Sequence, residues 1–477
     1  MVDAIEGGED GSGKRICAGC IAENYLHSQI ARHGKIGKCD YCDRSGCRCV
    51  AIDWLGAKID PVYRQLVRLA DPIPDASGDD DKVYWTGGGS SAREVLYELI
   101  EFAVDQIGDD LLESMGGNSD PEGLDTDFYD ATSDIYELGA PSDDQFHETW
   151  RSFCQSLRHE KRFFADGAAR VLDQIFNPIL KGGRGKFADA VRVIGPENAD
   201  RFVFRGRLAN DEAGRRAIYA SPAKRLGPPP PANATAGRMN PAGISIFYGC
   251  SDPTTCVAEL RVPVGGSAVV GKFEIIRPLR LLDLTKVEKA ESGLSKFHPL
   301  YFKMADYTNF IRGFHAEIRK PVIPGSESLA YLPPQIVAEY LWSQARYPVD
   351  GVIFGSSQLS GERTNIVLFP NASIVELAAD EPTREVTDIF QPSVGPDDEP
   401  IYEEHVYYQT PPNVRPQGDY PSLRESLWSW TDQVTPTALA PALRLVPDSL
   451  QRIDVQAITY ETRPNAIVIR EETAHQF

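Results

Sequence analysis

The sequence predicts an α+β protein in which a strand-rich half follows a small cysteine module and a helical stretch. Three observations lead there. Four cysteines stand near the start as two Cys-x2-Cys pairs, Cys17 with Cys20 and Cys39 with Cys42. In the segment that follows, apolar residues such as Val95, Leu96, Leu99, Phe102 and Ala103 recur at three- and four-residue spacing, the period of an amphipathic helix. From about Lys181 onward, short β-branched and aromatic runs alternate with helical ones, the pattern of a sheet with helices packed on it.

At 477 residues the chain exceeds what one compact core accommodates and is expected to form roughly two to four domains. A composition of 42% hydrophobic and 25% charged residues is that of an ordinary soluble protein. The formal net charge of -20 opposes broad binding to nucleic acid or to an anionic membrane, both of which need a basic surface. Residues 101–150 hold fifteen Asp and Glu and no Lys or Arg. This block is read as a solvated, partly disordered segment, with a docking surface for a basic partner as the alternative. The N-terminus, MVDAIEGGEDGSGKR, is polar and lacks a signal-peptide pattern. No run of about 18 apolar residues offers a membrane span. Clustered cysteines without a secretory signal point to metal in a reducing compartment, so the expected location is cytoplasmic.

The elements follow in order. Residues 1–15 read as a disordered leader and 16–52 as a zinc ribbon. Residues 53–186 read as an α-helical acidic region, with helices expected over Ile59–Ala70 and Ala92–Ile107, Ser91 capping the second. Gly108–Ser142 is expected to be irregular, and helical pattern resumes from about Gln145 to Phe176. Residues 187–375 carry the strand-like runs Ala190–Ile194, Phe202–Arg207, Ile244–Tyr248, Ala268–Ile276, Val352–Gly355 and Asn365–Phe369. Pro228–Pro231 forces an extended stretch ahead of Arg238. Residues 376–477 form a C-terminal extension with a proline-rich linker, the segment LWSWTD and an expected hairpin of Ile453–Glu461 with Ala466–Glu471.

Two Cys-x2-Cys knuckles separated by eighteen residues fit a structural zinc site ligated by Cys17, Cys20, Cys39 and Cys42, each knuckle turning two sulfurs inward. Cys47 and Cys49 are extra: they exchange with Cys42, serve a second site with His27 or His33, or stay free. A closed four-thiolate site leaves no position for substrate, so stabilising the module or presenting it to a partner is the expected role.

The stretch RMNPAGISIFYGCSDPTTCVAEL strings Arg238, Tyr248 and Glu259 across a turn, a strand and a helix that Ser251 or Asp252 caps. Cleaving the bond between nicotinamide and ribose passes through an oxocarbenium-like transition state. It needs a fork for the pyrophosphate, an aromatic face for the cationic ring, and a carboxylate for the ribosyl cation. Arg238, Tyr248 and Glu259 supply one of each. Taken alone, each has an ordinary alternative: a surface ion pair, a sheet aromatic, a solvated helix carboxylate. Cys250 and Cys256 lie within the stretch, flanking the site, and are read as small buried hydrophobes.

This stretch closely resembles the core of the RES-domain family, named for its Arg, Glu and Ser, with its Arg-x-Asn-Pro-x-Gly turn, Leu-Tyr strand and Ala-x-x-Glu helix. Arg238, Tyr248 and Glu259 fall on the family's Arg, Tyr and Glu, and Asn240 lies in the turn. Downstream, YPVDGVIFGSSQLSGERTNIVLF resembles the closing strand, serine turn and strand, with Ser356 on the family serine and Asn365 opening the last strand. Upstream, RFVFRGR resembles the opening strand, with Arg205 as its arginine. Gln358 stands where the family often has an arginine, and Arg363 is the candidate to replace it. The resemblance spans about 187–375 and implies a fold related to ADP-ribosyltransferase toxins. It also implies NAD+ as substrate, with Arg205, Asn240, Ser356 and Asn365 binding it. The region of zinc knuckles and helices resembles the domain ahead of some RES and HEPN domains. The one Arg-x(4–6)-His match to HEPN ribonucleases, Arg470 with His475, is read as coincidence.

The resulting expectation is a bacterial NAD+ glycohydrolase or phosphorylase, a toxin or defence effector restrained by an antitoxin or inhibitory protein. The alternatives are a protein ADP-ribosyltransferase and a non-catalytic zinc-ribbon binding protein on a degenerate RES scaffold.

Overall fold

The computed structural model describes residues 13–70, 73–75, 84–86, 89–116, 129, 134–139, 145–160, 167–182, 187–288, 293–320, 322, 325, 327–359, 361–377, 385–390, 404–409 and 440–459. The chain divides into two compact units, Met1–Cys154 with Glu288–Phe314, and Gln155–Val287 with His315–Phe477.

In the first unit, β1 (Arg15–Cys17), β2 (Lys35–Lys38) and β3 (Ser45–Ala51) form an antiparallel sheet of order β1-β3-β2. The helix α1 (Asn24–His33) is capped by Glu23, whose carboxylate accepts the Leu26 N–H at 2.7 Å. Then come α2 (Ile52–Leu66), β4 (Val67–Leu69), β5 (Ile73–Asp75), β6 (Tyr84–Thr86), β7 (Ser90–Ser91), α3 (Ala92–Ile100), α4 (Asp105–Gly116) and β8 (Asp134–Leu138), and the unit boundary falls within α5 (Gln145–His159). The capping of α3 is as the sequence suggests: Ser91 and Glu94 close a reciprocal capping box. The helix expected over 59–70 lies earlier, because Val67-Arg68-Leu69 leaves it to pair with β8.

The helix expected over Ala92–Ile107 stops at Ile100, where Glu101 turns the chain with φ +45°, and the irregular chain expected from Gly108 is helical to Gly116. Within the acidic block, α4 buries Ile107, Leu111, Leu112 and Met115 while Asp105 and Glu113 face solvent. Gly108 does not break this helix. It is buried, and a Cβ there would lie 2.7 Å from the Phe102 ring, so glycine is what lets the ring pack. Ile16, Leu26, Ile30, Leu55, Ile59, Leu96 and Leu111 join the helices and the cysteine knuckles in one core.

The second unit contains α6 (Ala168–Leu180), β9 (Val191–Ile194), β10 (Phe202–Leu208), α7 (Glu212–Ala220), α8 (Pro222–Leu226), β11 (Phe247–Cys250), α9 (Pro253–Glu259), β12 (Ser267–Ile275) and β13 (Leu279–Asp283). The helices α10 (Leu284–Glu288) and α11 (Tyr301–Arg319) contain points where the chain passes between units. There follow α12 (Glu327–Ala330), α13 (Leu332–Glu339), β14 (Gly351–Gly355), β15 (Thr364–Leu368), β16 (Glu385–Phe390), β17 (His405–Gln409), β18 (Leu443–Leu445) and β19 (Gln451–Asp454).

Nine strands make one sheet of order β18-β12-β10-β11-β15-β14-β13-β9, with β19 also on β12. All its pairs are antiparallel except β13 with β14. The runs SAVVGKFEI and GVIFG are almost wholly buried, which is why they read as continuous apolar stretches. Val203, Phe247, Val269, Phe273, Leu281, Ile353 and Leu368 form the core.

Two sequence expectations are revised here. The strand expected over 244–248 begins at Phe247. Of the first arm of the expected C-terminal hairpin, Ile453–Glu461, only Ile453 and Asp454 are in a strand among the described residues: they end β19, which pairs with β12. Residues 460–477, which hold the second arm with Arg470 and His475, lie outside the described residues, as do residues 1–12 and LWSWTD.

Candidate active site

The Arg238 loop is built around one amide. Asn240 is buried, and its Nδ2 donates to the carbonyls of Thr235 (3.0 Å), Pro241 (3.1 Å) and Ile244 (2.9 Å). Its Oδ1 accepts the Tyr248 hydroxyl at 2.9 Å, and that hydroxyl accepts the Met239 N–H at 3.0 Å. Gly237 makes this closeness possible: a Cβ there would sit 2.6 Å from both Asn240 Oδ1 and the Tyr248 hydroxyl. From α13, Gln335 Nε2 donates to the carbonyls of Gly237 (2.8 Å) and Asn240 (2.9 Å). Asn240 is therefore spent on its own loop and does not line the cavity; Arg238 and Tyr248 do. Arg238 donates one Nη to the Lys320 carbonyl at 2.7 Å, and burial holds its guanidinium below the ordinary arginine range. Burial also pushes the Tyr248 phenol up, so its hydroxyl stays protonated at neutral pH.

Glu259 ends α9. Asp252 caps that helix, accepting the Thr255 N–H (2.9 Å) and hydroxyl (2.6 Å), with Pro253 in the first turn. Oε1 of Glu259 accepts the Ser356 hydroxyl at 2.6 Å and Asn365 Nδ2 at 2.8 Å. Both donors come from the facing ends of β14 and β15, where Phe354 pairs with Asn365. Ser356 is 1% exposed and its oxygen also accepts the Gln358 N–H at 3.1 Å. It is occupied with Glu259 and its own turn and is not on the cavity wall, whereas Glu259 and Asn365 are. Among the described residues no donor reaches Glu259 Oε2.

The cavity, about 440 Å³, is lined by five arginines: Arg205, Arg207, Arg238, Arg261 and Arg319. Two carboxylates, Glu259 and Glu327, share it, with Tyr331 beside Tyr248 among the aromatic lining. That volume is within the usual range for a small-molecule site. Arg205 is 5% exposed and stacks over the Phe247 ring at 4.9 Å, and among the described residues its Nη1 has no hydrogen-bond partner. Burial, with neighbouring Arg207 adding to it, pulls its pKa down to about 9. It is still charged at neutral pH, a buried cation in want of an anion. Arg207 donates to the carbonyls of Arg225 (3.5 Å) and Gly227 (3.4 Å), and Arg319 to that of Ser356 (3.0 Å). Arg363 does not take the place that Gln358 leaves: it pairs with the capping Asp252 at 2.8 Å and is not on the cavity wall.

Sequence reasoning missed Arg207, Arg261, Arg319, Tyr331 and Gln335. Arg207 was legible, since two-residue alternation in RFVFRGR puts it on the face of Arg205. Helical spacing of Tyr307, Phe310, Ile311, Phe314 and Ile318 finds α11, which ends on Arg319. Tyr331 and Gln335 were hidden because Leu332-Pro333-Pro334 reads as a loop, although prolines suit a helix start. Cys250 and Cys256 also line the cavity. The neighbouring Cys256 thiol and burial push Cys250 up, so it is not poised as a thiolate nucleophile, and Cys256 donates its thiol hydrogen to the Phe204 carbonyl at 3.1 Å.

In the first unit the ligand atoms of Cys17, Cys20, Cys39 and Cys42 all lie within 4.8 Å of one another. Sulfur–sulfur distances are 3.7 Å (Cys17–Cys20), 3.6 Å (Cys17–Cys42) and 3.8 Å (Cys20–Cys39). A tetrahedron with metal–sulfur bonds of about 2.3 Å has edges of about 3.8 Å, so the four sulfurs fit a divalent ion of zinc's size. The Cys17 N–H donates to Cys39 Sγ at 3.4 Å. Burial, with the Cys42 thiol next, pushes Cys17 up to about 11, a penalty that a bound dication reverses. Cys47 and Cys49 sit apart as a pair, 3.5 Å between sulfurs, and neither His27 nor His33 joins the cluster.

Residues 207–388 match the RES domain, and residues 32–171 match HEPN/RES N-terminal domain 1. No curated protein and no solved structure matches the chain. Arg205 lies just before the matched segment, and its place in the site rests on β10 and the cavity. Among the described residues no helix is long and apolar enough to cross a membrane.

Proposed function

We propose that this chain, which carries a RES domain behind a HEPN/RES N-terminal domain 1, cleaves the nicotinamide–ribose bond of NAD+. RES domains are in general NAD+-degrading toxin domains. The observation that carries the reading is Glu259: one oxygen is fixed by Ser356 and Asn365, and the carboxylate faces a cavity containing the unpaired buried cation of Arg205.

The chemistry follows from the wall. Arg205 and Arg238 hold the pyrophosphate, and its arrival relieves the desolvated charge on Arg205. Tyr248, pinned through its hydroxyl, offers its ring to the nicotinamide. The C1′–N bond breaks with its electron pair going to the ring nitrogen, so a cationic ring leaves as neutral nicotinamide. Positive charge grows on the ribose, and Glu259 stabilises it. Water then bonds through its oxygen to C1′ and releases a proton to solvent, leaving ADP-ribose, or an anionic oxygen of inorganic phosphate bonds there and leaves the 1-phosphate. A toxin or defence effector of this kind works inside the cell and needs an antitoxin or inhibitory partner. Structural zinc on the four cysteines steadies the N-terminal module and takes no part in the reaction.

The test is NAD+ consumption by the purified full chain beside Glu259→Gln. The substitution keeps the size and removes the charge, and the rate is expected to fall about 10²–10³-fold. Product masses with and without phosphate identify the acceptor, and a labelled protein band reports ADP-ribosyl transfer instead. If the wild type leaves NAD+ intact and labels no protein, the reading fails.

A further inference from the structure

Behind α9 the chain makes a Schellman turn. Leu260 is still helical, with φ −71° and ψ −13°, and Arg261 has φ +51°. The Arg261 N–H donates to the Ala258 carbonyl (3.0 Å) and the Val262 N–H to that of Val257 (3.4 Å), the two bonds that define the motif. Its left-handed position belongs by default to glycine, because a Cβ there crowds the residue's own carbonyl. Here an arginine holds it, two residues beyond Glu259.

This arginine lines the Glu259 cavity and is exposed to solvent. The other guanidinium groups on the wall are engaged or buried: Arg207, Arg238 and Arg319 each donate to backbone carbonyls, and Arg205 lies beneath the surface. Among the described residues Arg261 has no ion pair and no side-chain hydrogen bond. A strained backbone whose side chain makes neither an ion pair nor a hydrogen bond is costly to the free protein, and strain of this kind collects where a ligand uses it.

We infer that Arg261 is a phosphate-binding residue, its guanidinium taking a phosphate of the dinucleotide on the solvent side of the cavity. The turn aims the group, and the left-handed backbone is what that aim costs. The inference rests on the NAD+ reading and extends it to a residue outside the Arg–Tyr–Glu set. A pyrophosphate oxygen and the 2′-phosphate of NADP+ present the same chemistry to a guanidinium fork.

The experiment compares the full chain with Arg261→Gly and Arg261→Lys, using NAD+ and NADP+ as substrates. Glycine relaxes the turn, so Tm is expected to rise by about 2–4 °C. KM is expected to rise about tenfold or more, with kcat nearly unchanged, as befits a lost charge-assisted contact. Lysine keeps charge without the fork and falls between. A rise for both substrates assigns the pyrophosphate; a rise for NADP+ alone assigns the 2′-phosphate. Unchanged KM for both, or a lower Tm in the glycine variant, overturns the inference while NAD+ turnover by the wild type stands. A wild type that consumes neither dinucleotide sinks the NAD+ reading and this inference with it.

Discussion

Oε1 of Glu259 accepts two hydrogen bonds from the ends of β14 and β15, so the carboxylate is oriented before any substrate arrives. Ser356 acts through Glu259, since its hydroxyl is buried and spent on that oxygen and on its own turn. Ser356→Ala is therefore expected to lower kcat for NAD+ about tenfold to a hundredfold, the worth of one hydrogen bond to a charge, while KM moves little. Steady-state kinetics on the folded variant checks this; a raised KM with intact kcat would mean that Ser356 touches substrate after all. At this scale the sequence was a good guide to residue type and a poor one to residue duty. Asn240 and Ser356 stand in the motifs where ligand contacts were expected, but both turn inward. Burial decides that, and a motif carries no depth.

At the scale of elements, two segments that share no sequence signal hold one loop. The helix α13 reaches across with Gln335 to the carbonyls of Gly237 and Asn240, and Asn240 in turn grips Tyr248 at the start of β11. Gln335→Ala removes both bonds and is expected to destabilise the protein by about 1–3 kcal/mol. It should also raise KM for NAD+, because the loop carrying Arg238 is no longer held. Thermal unfolding together with KM measures this, and unchanged values for both would show the clamp to be idle. The helix α9 was legible because its start signals are local: Asp252 caps and Pro253 opens it. The continuation of α4 through Gly108 was not, because a glycine amid acidic residues looks like a break until Phe102 is seen packed against it. The failure is physical, since the cost of glycine in a helix is repaid by a contact distant from any local pattern.

At the scale of the whole molecule, a chain of net charge -20 gathers five guanidinium groups and two carboxylates around one cavity, a local reversal of sign suited to drawing in an anion. The cysteine tetrad is placed to serve stability at this scale. Structural zinc contributes on the order of 10–16 kcal/mol, comparable with the whole stability of a domain, and Cys17, Cys20 and Cys39 sit within the first unit's core. Purified under reducing conditions, the chain is expected to carry about one zinc ion on its four thiolates. Chelation or Cys20→Ser should remove it and melt the helices packed around it, as metal analysis and circular dichroism would show. A metal-free chain with an unchanged melt would refute the assignment. By itself the sequence marked out several strands of the large sheet, the caps of α3 and α9 and the cysteine tetrad, and it singled out Arg238, Tyr248 and Glu259 as candidates, because period, spacing and capping chemistry act between near neighbours. Only the tertiary structure decided which arginines face the cavity, that Ser356 and Asn365 converge on one oxygen of Glu259, and that Arg261 bears a strained turn beside it. Those facts depend on which side chains lose water and which strands become neighbours, and both are settled when distant segments pack together.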